Sequence, residues 1–196
     1  MVSKSVCSGN TAQQKSAGKG LSRRGFITAL AGTTLAAVAF PNIAKASVST
    51  SRELSFHNTH TGEKLVISYY ERGEYLSDAL QGVNYLLRDH RTGDVHAIDT
   101  ALLDQLYDLR MMFGTHKPFH IISGYRSPYT NALLNKKSSG VAKKSLHMQG
   151  CAIDIRIPGI DSKKLRNAAI AMRSGGVGYY QRSDFIHLDT GRVRSW

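Results

Sequence analysis

The sequence predicts an α+β fold in which helices flank a mostly antiparallel sheet. Short segments with alternating apolar and polar residues, which are typical of strands, are grouped towards the two ends of the chain beyond residue 51. Longer segments between and after them carry apolar residues at helical spacing, and turn residues separate the elements. Strands grouped in this way, with helices between and after them, favour the α+β class.

Residues 1–46 have the features of an export signal. They contain six basic residues and no acidic one, including the pair Arg23-Arg24, and an apolar run follows from Phe26 to Phe40. The sequence Ala44-Lys45-Ala46 is typical of a cleavage site. We therefore predict a twin-arginine signal peptide and a single domain at residues 47–196. The alternative is a membrane anchor, but the apolar run is shorter than the roughly 20 residues that a spanning helix needs.

Charge gives only weak information about partners. The 196 residues include 26 Lys and Arg and 14 Asp and Glu, for a formal net charge of +12. Six of the basic residues lie in the predicted leader, so 20 remain against 14 acids and the net charge of the domain is about +6. No basic helix or aromatic-basic array is present, and we expect no nucleic-acid partner. A modest positive charge suits an anionic cell-wall polymer.

The first half of the domain is predicted to contain a hairpin and two helices. Arg52–Asn58 and Lys64–Tyr70 alternate on either side of a turn at Thr61-Gly62, which predicts two paired strands. Ser77–Arg88 and Thr100–Phe113 each place their leucines on one face, as amphipathic helices do. We expect these two helices to pack together.

The second half of the domain is predicted to supply most of the sheet. Its predicted elements, in order, are a strand at Phe119–Ser123, a helix at Tyr129–Lys137, a strand at Cys151–Ile157, a helix at Asp161–Arg173, and strands at Val177–Tyr180 and Phe185–Leu188. The loop Ser138–Lys144, which is rich in small residues and lysine, leads directly into Ser145 and His147. We expect this loop to form one wall of a cleft.

A candidate metal site is indicated by the stretch from Ser145 to Asp154. Asp154 falls in the middle of an otherwise apolar predicted strand, where an unpaired carboxylate costs several kcal/mol. A metal ion is one good reason to retain it, because imidazole nitrogen and carboxylate oxygen are ordinary zinc ligands. His147 is the nearby histidine, and His187 is the best candidate for the third ligand that a catalytic zinc requires.

Three motifs of this chain, in the same order, resemble those of the zinc D-Ala-D-Ala metallopeptidases, a superfamily that also includes lysostaphin-like and hedgehog domains. The motifs are Ser123-Gly124-Tyr125-Arg126-Ser127, Ser145-x-His147-x-x-Gly150-x-Ala152-x-Asp154 and Asp184-x-x-His187. Together with the leader and the ending His187 to Arg194, the chain looks closest to the YcbK-like murein endopeptidases, which are exported by the twin-arginine route. The resemblance implies a zinc peptidase fold of the hedgehog and D-Ala-D-Ala-peptidase type.

The resemblance also implies roles for individual residues. It implies a zinc ion held by His147, Asp154 and His187, whose bound water has a pKa lowered to about 7. Arg126 is expected to stabilise the oxyanion of the tetrahedral intermediate or to bind a substrate carboxylate, with a structural salt bridge as the alternative. Ser145 is expected to hydrogen-bond the substrate backbone, with a simple loop cap as the alternative.

The resemblance places the general base in the last motif and leaves two candidates for it. The Glu-x-x-His motif of the family assigns this role to Asp184, although Asp is one methylene shorter than Glu. Strict alternation puts Asp184 on the opposite face from His187 and Asp189 on the same face, unless Asp184 precedes the strand. We prefer Asp184 and retain Asp189 as the alternative. Tyr125 is a candidate substrate-binding residue, with core packing as its alternative.

The expected function is that of a zinc-dependent murein endopeptidase. The resemblance implies a periplasmic enzyme that hydrolyses peptide cross-links of peptidoglycan, and we expect a monomer without a stable membrane span. One alternative is a D-Ala-D-Ala carboxypeptidase or dipeptidase, which needs a closed pocket for a free carboxylate. The other is a non-catalytic, zinc-containing cell-wall-binding module.

Overall fold

The computed structural model describes residues 51–138 and 140–196, and the predicted leader lies outside these ranges. The strands are β1 (Arg52–Asn58), β2 (Lys64–Glu71), β3 (Glu74–Tyr75), β4 (Phe119–Ser123), β5 (Ala152–Arg156), β6 (Gly176–Tyr180), β7 (Phe185–Asp189) and β8 (Arg194–Ser195). The α-helices are α1 (Ser77–Leu86), α2 (Thr100–Phe113), α3 (Pro128–Lys137) and α4 (Ser162–Met172). Within the described ranges, no helix combines the length and apolarity needed to cross a membrane.

The described strands form one sheet in the order β3-β2-β1-β4-β5-β7-β6-β8. The predicted hairpin is present as the antiparallel pair β1 and β2. However, β1 is parallel to β4, and β6 is parallel to β8, so the sheet is mixed and the prediction of a mostly antiparallel sheet is wrong. Two helices lie between β2 and β4, and a connection of that length can return the chain to run parallel to β1. The short strands β3 and β8 were not predicted.

Local capping residues set the ends of the helices that the sequence predicts. The side chain of Asp99 accepts a hydrogen bond from the backbone N–H of Ala101 and begins α2, and Gly114 ends it in the left-handed conformation with φ of 54°. The Ser127 hydroxyl accepts from the N–H of Thr130 at the start of α3. Helix α3 therefore begins immediately after Arg126, which fixes the direction in which the chain leaves β4.

An apolar core joins one face of the sheet to α1, α2 and α4. Strands β5 and β7 contribute fully or almost fully buried side chains at alternate positions, as do the leucines of α2. The largest buried side chains are Tyr69, Phe56, Phe119, Leu54, Leu87, Leu102, Leu103, Leu106, Leu109, Ile121, Ile153 and Ile155. The polar residues that alternate with this apolar set on β5 and β7 point to the other face, where the candidate site lies.

Candidate metal centre

Strands β5 and β7 place two of the predicted ligands side by side. The strands are antiparallel neighbours, and Asp154 lies directly opposite His187 in the ladder. Ile153 and Leu188, which also face each other, belong to the apolar core. Because side chains alternate along a strand, the carboxylate and the imidazole share the opposite face of the same strand pair.

The third predicted ligand, His147, reaches this place from a short 3-10 helix at Leu146–Gln149. The Ser145 hydroxyl accepts a hydrogen bond from the backbone N–H of His147 at 3.3 Å and caps the start of the helix. Gly150 ends it with φ of 68°, and a Cβ at this position would collide with the carbonyl oxygen of Ala97. The serine and the glycine of the motif therefore hold the turn that presents His147.

The three side chains converge on one point. Nε2 of His147 lies 3.2 Å from Nδ1 of His187 and 3.3 Å from Oδ1 of Asp154. Nδ1 of His187 lies 2.9 Å from the same oxygen. A tetrahedral zinc ion with bonds of about 2.0–2.1 Å has its ligand atoms about 3.3 Å apart. The three atoms therefore have the spacing of three corners of such a site.

The remote nitrogen of each imidazole is held by a hydrogen bond. Nδ1 of His147 lies 2.7 Å from the carbonyl oxygen of Gly124, which can only accept, so this nitrogen donates and Nε2 carries a lone pair. Nε2 of His187 donates to Oδ2 of Asp189 at 3.0 Å, which leaves Nδ1 facing Asp154. Metal-binding histidines are held in the same way, because the second hydrogen bond fixes the tautomer and the orientation of the ring.

Burial and charge make this centre favourable for a cation. Burial lowers the pKa of His147 and so favours its neutral form. Burial alone would raise the pKa of Asp154, but His147, His187 and the Arg126 guanidinium hold it well below its usual range. Burial acts to lower the pKa of His187, yet hydrogen bonds to Asp154 and Asp189 outweigh it and raise that pKa. A positive charge between these groups is therefore stabilised.

Arg126 places a permanent cation beside this cluster. Its guanidinium pairs with Oδ2 of Asp154, and its Nε donates to the Ser123 hydroxyl at 2.8 Å. Its backbone N–H donates to the carbonyl of His147 at 3.2 Å. The salt bridge considered as an alternative is thus present, and the same side chain also lines the cavity described below. The two interpretations of Arg126 are therefore compatible.

Asp189 is fully buried, and donors surround both of its oxygens. Oδ1 accepts from the backbone N–H of Gly176 and Gly191 at 3.1 and 2.9 Å and from Nη1 of Arg194 at 3.0 Å. Oδ2 accepts from Nη2 of Arg194 at 2.7 Å and from His187. These bonds outweigh burial and hold the pKa of Asp189 well below its usual range. A carboxylate engaged in this way is poorly placed to act as the general base.

A cavity of about 400 Å³ is lined by the three candidate ligands and Arg126. The loop predicted as a wall contributes Ser138, Gly140, Val141, Ala142 and Lys144, which confirms that prediction. Three aromatic side chains, Tyr180, Phe185 and Trp196, also line the cavity. The Trp196 ring is half exposed, and its centroid lies 5.3 Å from that of His187. Arg194 also lines the cavity, and the sequence did not indicate a role for it in the site.

Two predicted site residues are not among those that line the cavity. Asp184 follows the 3-10 turn Gln181–Ser183 and precedes β7, so strand alternation does not assign it to the face opposite His187, and the residue is exposed. Tyr125 stacks on His96 with ring centroids 4.8 Å apart. Ser145 does line the cavity, and it also caps the 3-10 helix, so both of its predicted roles remain compatible with the structure.

Comparison with known proteins gives a consistent result. A family model described as peptidoglycan L,D-endopeptidase MepK matches residues 46–196. The peptidoglycan L,D-endopeptidase MepK of Escherichia coli strain K12 is 45% identical over 172 residues, which cover 87% of this chain and 94% of that protein. A probable peptidoglycan L,D-endopeptidase MepK of Haemophilus influenzae is 42% identical over 170 residues, covering 85% and 91% respectively.

Proposed function

The chain belongs to the peptidoglycan L,D-endopeptidase MepK family, and on this premise we propose that it is a zinc-dependent murein endopeptidase. Its substrates would be the peptide cross-links of peptidoglycan. The bond that it cleaves would be the L,D bond that appears in the names of its relatives. The observation that carries the proposal is the convergence of His147, Asp154 and His187 at a cavity.

The choice of zinc rests on the chemistry of the donor atoms. Two imidazole nitrogens and one carboxylate oxygen are typical zinc ligands, whereas calcium and magnesium are bound by oxygen atoms. Three protein ligands leave a position for solvent or substrate, as in catalytic zinc sites. A bound zinc ion would supply a water activated at neutral pH and would polarise the scissile carbonyl.

The remaining residues would bind the peptide and stabilise charge. Arg126 keeps a fixed positive charge at the cavity, where it would stabilise negative charge that develops on the carbonyl oxygen. Ser145 would orient the substrate backbone through its hydroxyl. The role of proton acceptor is assigned to Asp184 from its position in the motif, and its carboxylate would exchange protons with the cavity through water. Tyr125 would act only at the periphery, where it packs on His96.

We propose that the protein acts in the periplasm after export by the twin-arginine route. The paired arginines and the sequence Ala44-Lys45-Ala46, which is typical of a cleavage site, support this assignment, and the family match begins at residue 46. The domain at 47–196 would then be the mature enzyme. Replacing Arg23 and Arg24 by lysine is expected to retain the protein in the cytoplasm, as fractionation would show. Normal export of that variant would contradict the assignment of the route.

The function is tested by the release of peptides from purified sacculi and from defined muropeptides. We expect zinc-dependent cleavage within cross-links, identified by the masses of the fragments. Exclusive removal of a terminal D-Ala would identify a carboxypeptidase instead. Zinc binding without any release would identify a binding module.

The base assignment has a separate test. Asp184→Asn keeps the size of the side chain and removes its basicity, and we expect it to reduce kcat by about 10²-fold or more while zinc affinity is unchanged. Ser183→Ala, in the same turn, is the matched control and is expected to retain the parental rate. Parental turnover by Asp184→Asn would exclude Asp184 as the base.

A further inference from the structure

Strand β8 reaches the metal centre across β6. Gly176 of β6 is paired with Asp189 of β7 on one side and with Arg194 of β8 on the other. These three residues therefore form one row across the sheet. The guanidinium of Arg194 extends along this row and binds both oxygens of Asp189, at 3.0 and 2.7 Å. It does so because the intervening residue has no side chain.

Gly176 is required for this contact on steric grounds. A Cβ built on Gly176 would collide with the Arg194 guanidinium and with Oδ2 of Asp189. Any larger residue would push the two charged groups apart. The absence of a side chain at position 176 thus permits a bidentate ion pair, which is the geometry that a guanidinium and a carboxylate prefer.

The Asp189 carboxylate in turn determines which nitrogen of His187 faces the cavity. Its Oδ2 accepts the hydrogen on Nε2 at 3.0 Å, and Nδ1 then lies 2.9 Å from Asp154. A ring rotated by half a turn would lose the bond to Asp189 and present a different atom to His147. The position of Asp189 therefore controls both the tautomer and the orientation of the His187 ring.

We propose that Arg194 and Asp189 are positioning residues for His187: Arg194 fixes the Asp189 carboxylate, which holds the His187 ring with Nδ1 towards Asp154 and His147. Neither residue needs to contact substrate for this role. The inference rests on the proposed metal-dependent function, because the orientation of His187 matters most when Nδ1 binds an ion. It goes beyond that function by making β8 a part of the centre.

Metal affinity tests the proposal independently of turnover. Zinc binding to the purified protein is measured by competition with a chromophoric chelator, and the geometry is read from the electronic spectrum of the cobalt(II)-substituted protein. We expect Arg194→Gln to weaken zinc binding about 10-fold and Asp189→Asn up to about 100-fold, each with an altered cobalt spectrum. Arg194→Lys should recover part of the affinity, because it restores the charge without the bidentate geometry.

Two further variants separate positioning from general stability. Gly176→Ala leaves both charges in place and displaces them, so it should also weaken zinc binding and alter the cobalt spectrum. Arg192→Gln changes an exposed side chain of the same segment and should bind zinc as the parent does. Thermal unfolding of the metal-free proteins is recorded in parallel.

The outcomes distinguish this inference from the proposed function. If Arg194→Gln and Asp189→Asn bind zinc with parental affinity and a parental cobalt spectrum, the pair only joins β8 to the sheet and the inference is wrong. If those variants bind zinc normally while the parent also cleaves cross-links, the proposed function stands alone. If the parent itself binds no zinc, both proposals fail.

Discussion

The two faces of the β5–β7 pair differ in what their side chains require of each other. On one face, Ile153 lies opposite Leu188 in the apolar core. On the other, one residue along, Asp154 lies opposite His187 at the cavity. The apolar contacts have no preferred direction and depend mainly on filled volume. The polar contacts depend on which atom donates and which accepts, so a change at one residue alters its neighbours.

Within this single pair of strands, the core face therefore contributes mainly stability and the polar face mainly chemistry. The core face removes apolar surface from water, and each large side chain contributes on the order of 1.5–3 kcal/mol. The polar face gains little net stability, because buried charges lose hydration that their partners only partly replace. We therefore expect substitutions on the two faces to have opposite effects on activity and on folding.

The largest effect is expected on the polar face. Replacing His147 by Ala removes one of three candidate ligands and should reduce hydrolysis by at least about 10³-fold, because activation of water depends on the bound ion. Compared with the metal-free parent, stability should fall by only about 1–3 kcal/mol, since the Gly124 carbonyl loses its donor. Metal content, rate and urea unfolding would be measured together. Substantial activity with one ligand missing would contradict the proposed centre.

A smaller effect of the opposite kind is expected on the core face. Ile153→Ala leaves a cavity in the core and should lower the free energy of unfolding by about 2–5 kcal/mol. The folded variant should bind zinc as the parent does, because Asp154 keeps its place in the ladder. Chemical denaturation and zinc titration check the two statements. Weakened zinc binding in the folded variant would show that the two faces are not independent.

Much of this contrast is predictable from the sequence, because it follows from period-two alternation. The strand predicted at Cys151–Ile157 already places Asp154 on the face opposite to Ile153 and Ile155. The resemblance of the three motifs to a known superfamily predicts that His147 and His187 lie in the same site. The parallel pairing of β1 with β4 was not predictable in this way, since it depends on how a crossover of two helices returns to the sheet.

The contacts around Asp189 were not predictable, although alternation put Asp189 on the correct face. Its partners lie on β6 and β8, and Arg194 can reach it only because Gly176 aligns with both residues. That alignment depends on the register between strands, and β8 has only two residues with which to indicate a strand. The position of Asp184 relative to the cavity likewise depends on the geometry of a turn.

Removal of the metal should show how far the bound ion stabilises the fold through the residues of the polar face. An ion at a free concentration 100 times its Kd stabilises the folded state by about 2.7 kcal/mol. For a domain of this size, a chelator should therefore lower the unfolding temperature by roughly 5–10 °C. The same treatment should leave the unfolding temperature of His147→Ala unchanged. An equal decrease in both proteins would indicate that the chelator acts elsewhere.

The smallest effect is expected at Asp89, a buried carboxylate that does not line the cavity. It accepts hydrogen bonds from the backbone N–H groups of Ser127 and Arg91 at 2.8 and 2.9 Å. Burial acts to raise its pKa, but the neighbouring Thr130 hydroxyl and the two backbone N–H groups lower it to about 2. Because the folded-state pKa lies below the unfolded value, the carboxylate stabilises the protein above about pH 4.

This stabilisation should disappear as the pH falls from about 4 to about 2, and it amounts to at most about 2 kcal/mol. The free energy of unfolding of the parent would be compared with that of Asp89→Asn over this interval. The asparagine does not titrate there, so the difference between the two proteins should shrink as the pH falls. A constant difference would mean that Asp89 acts through shape and not through charge. In that case the fit of the Asp89 side chain would stabilise the fold, much as packing does on the core face.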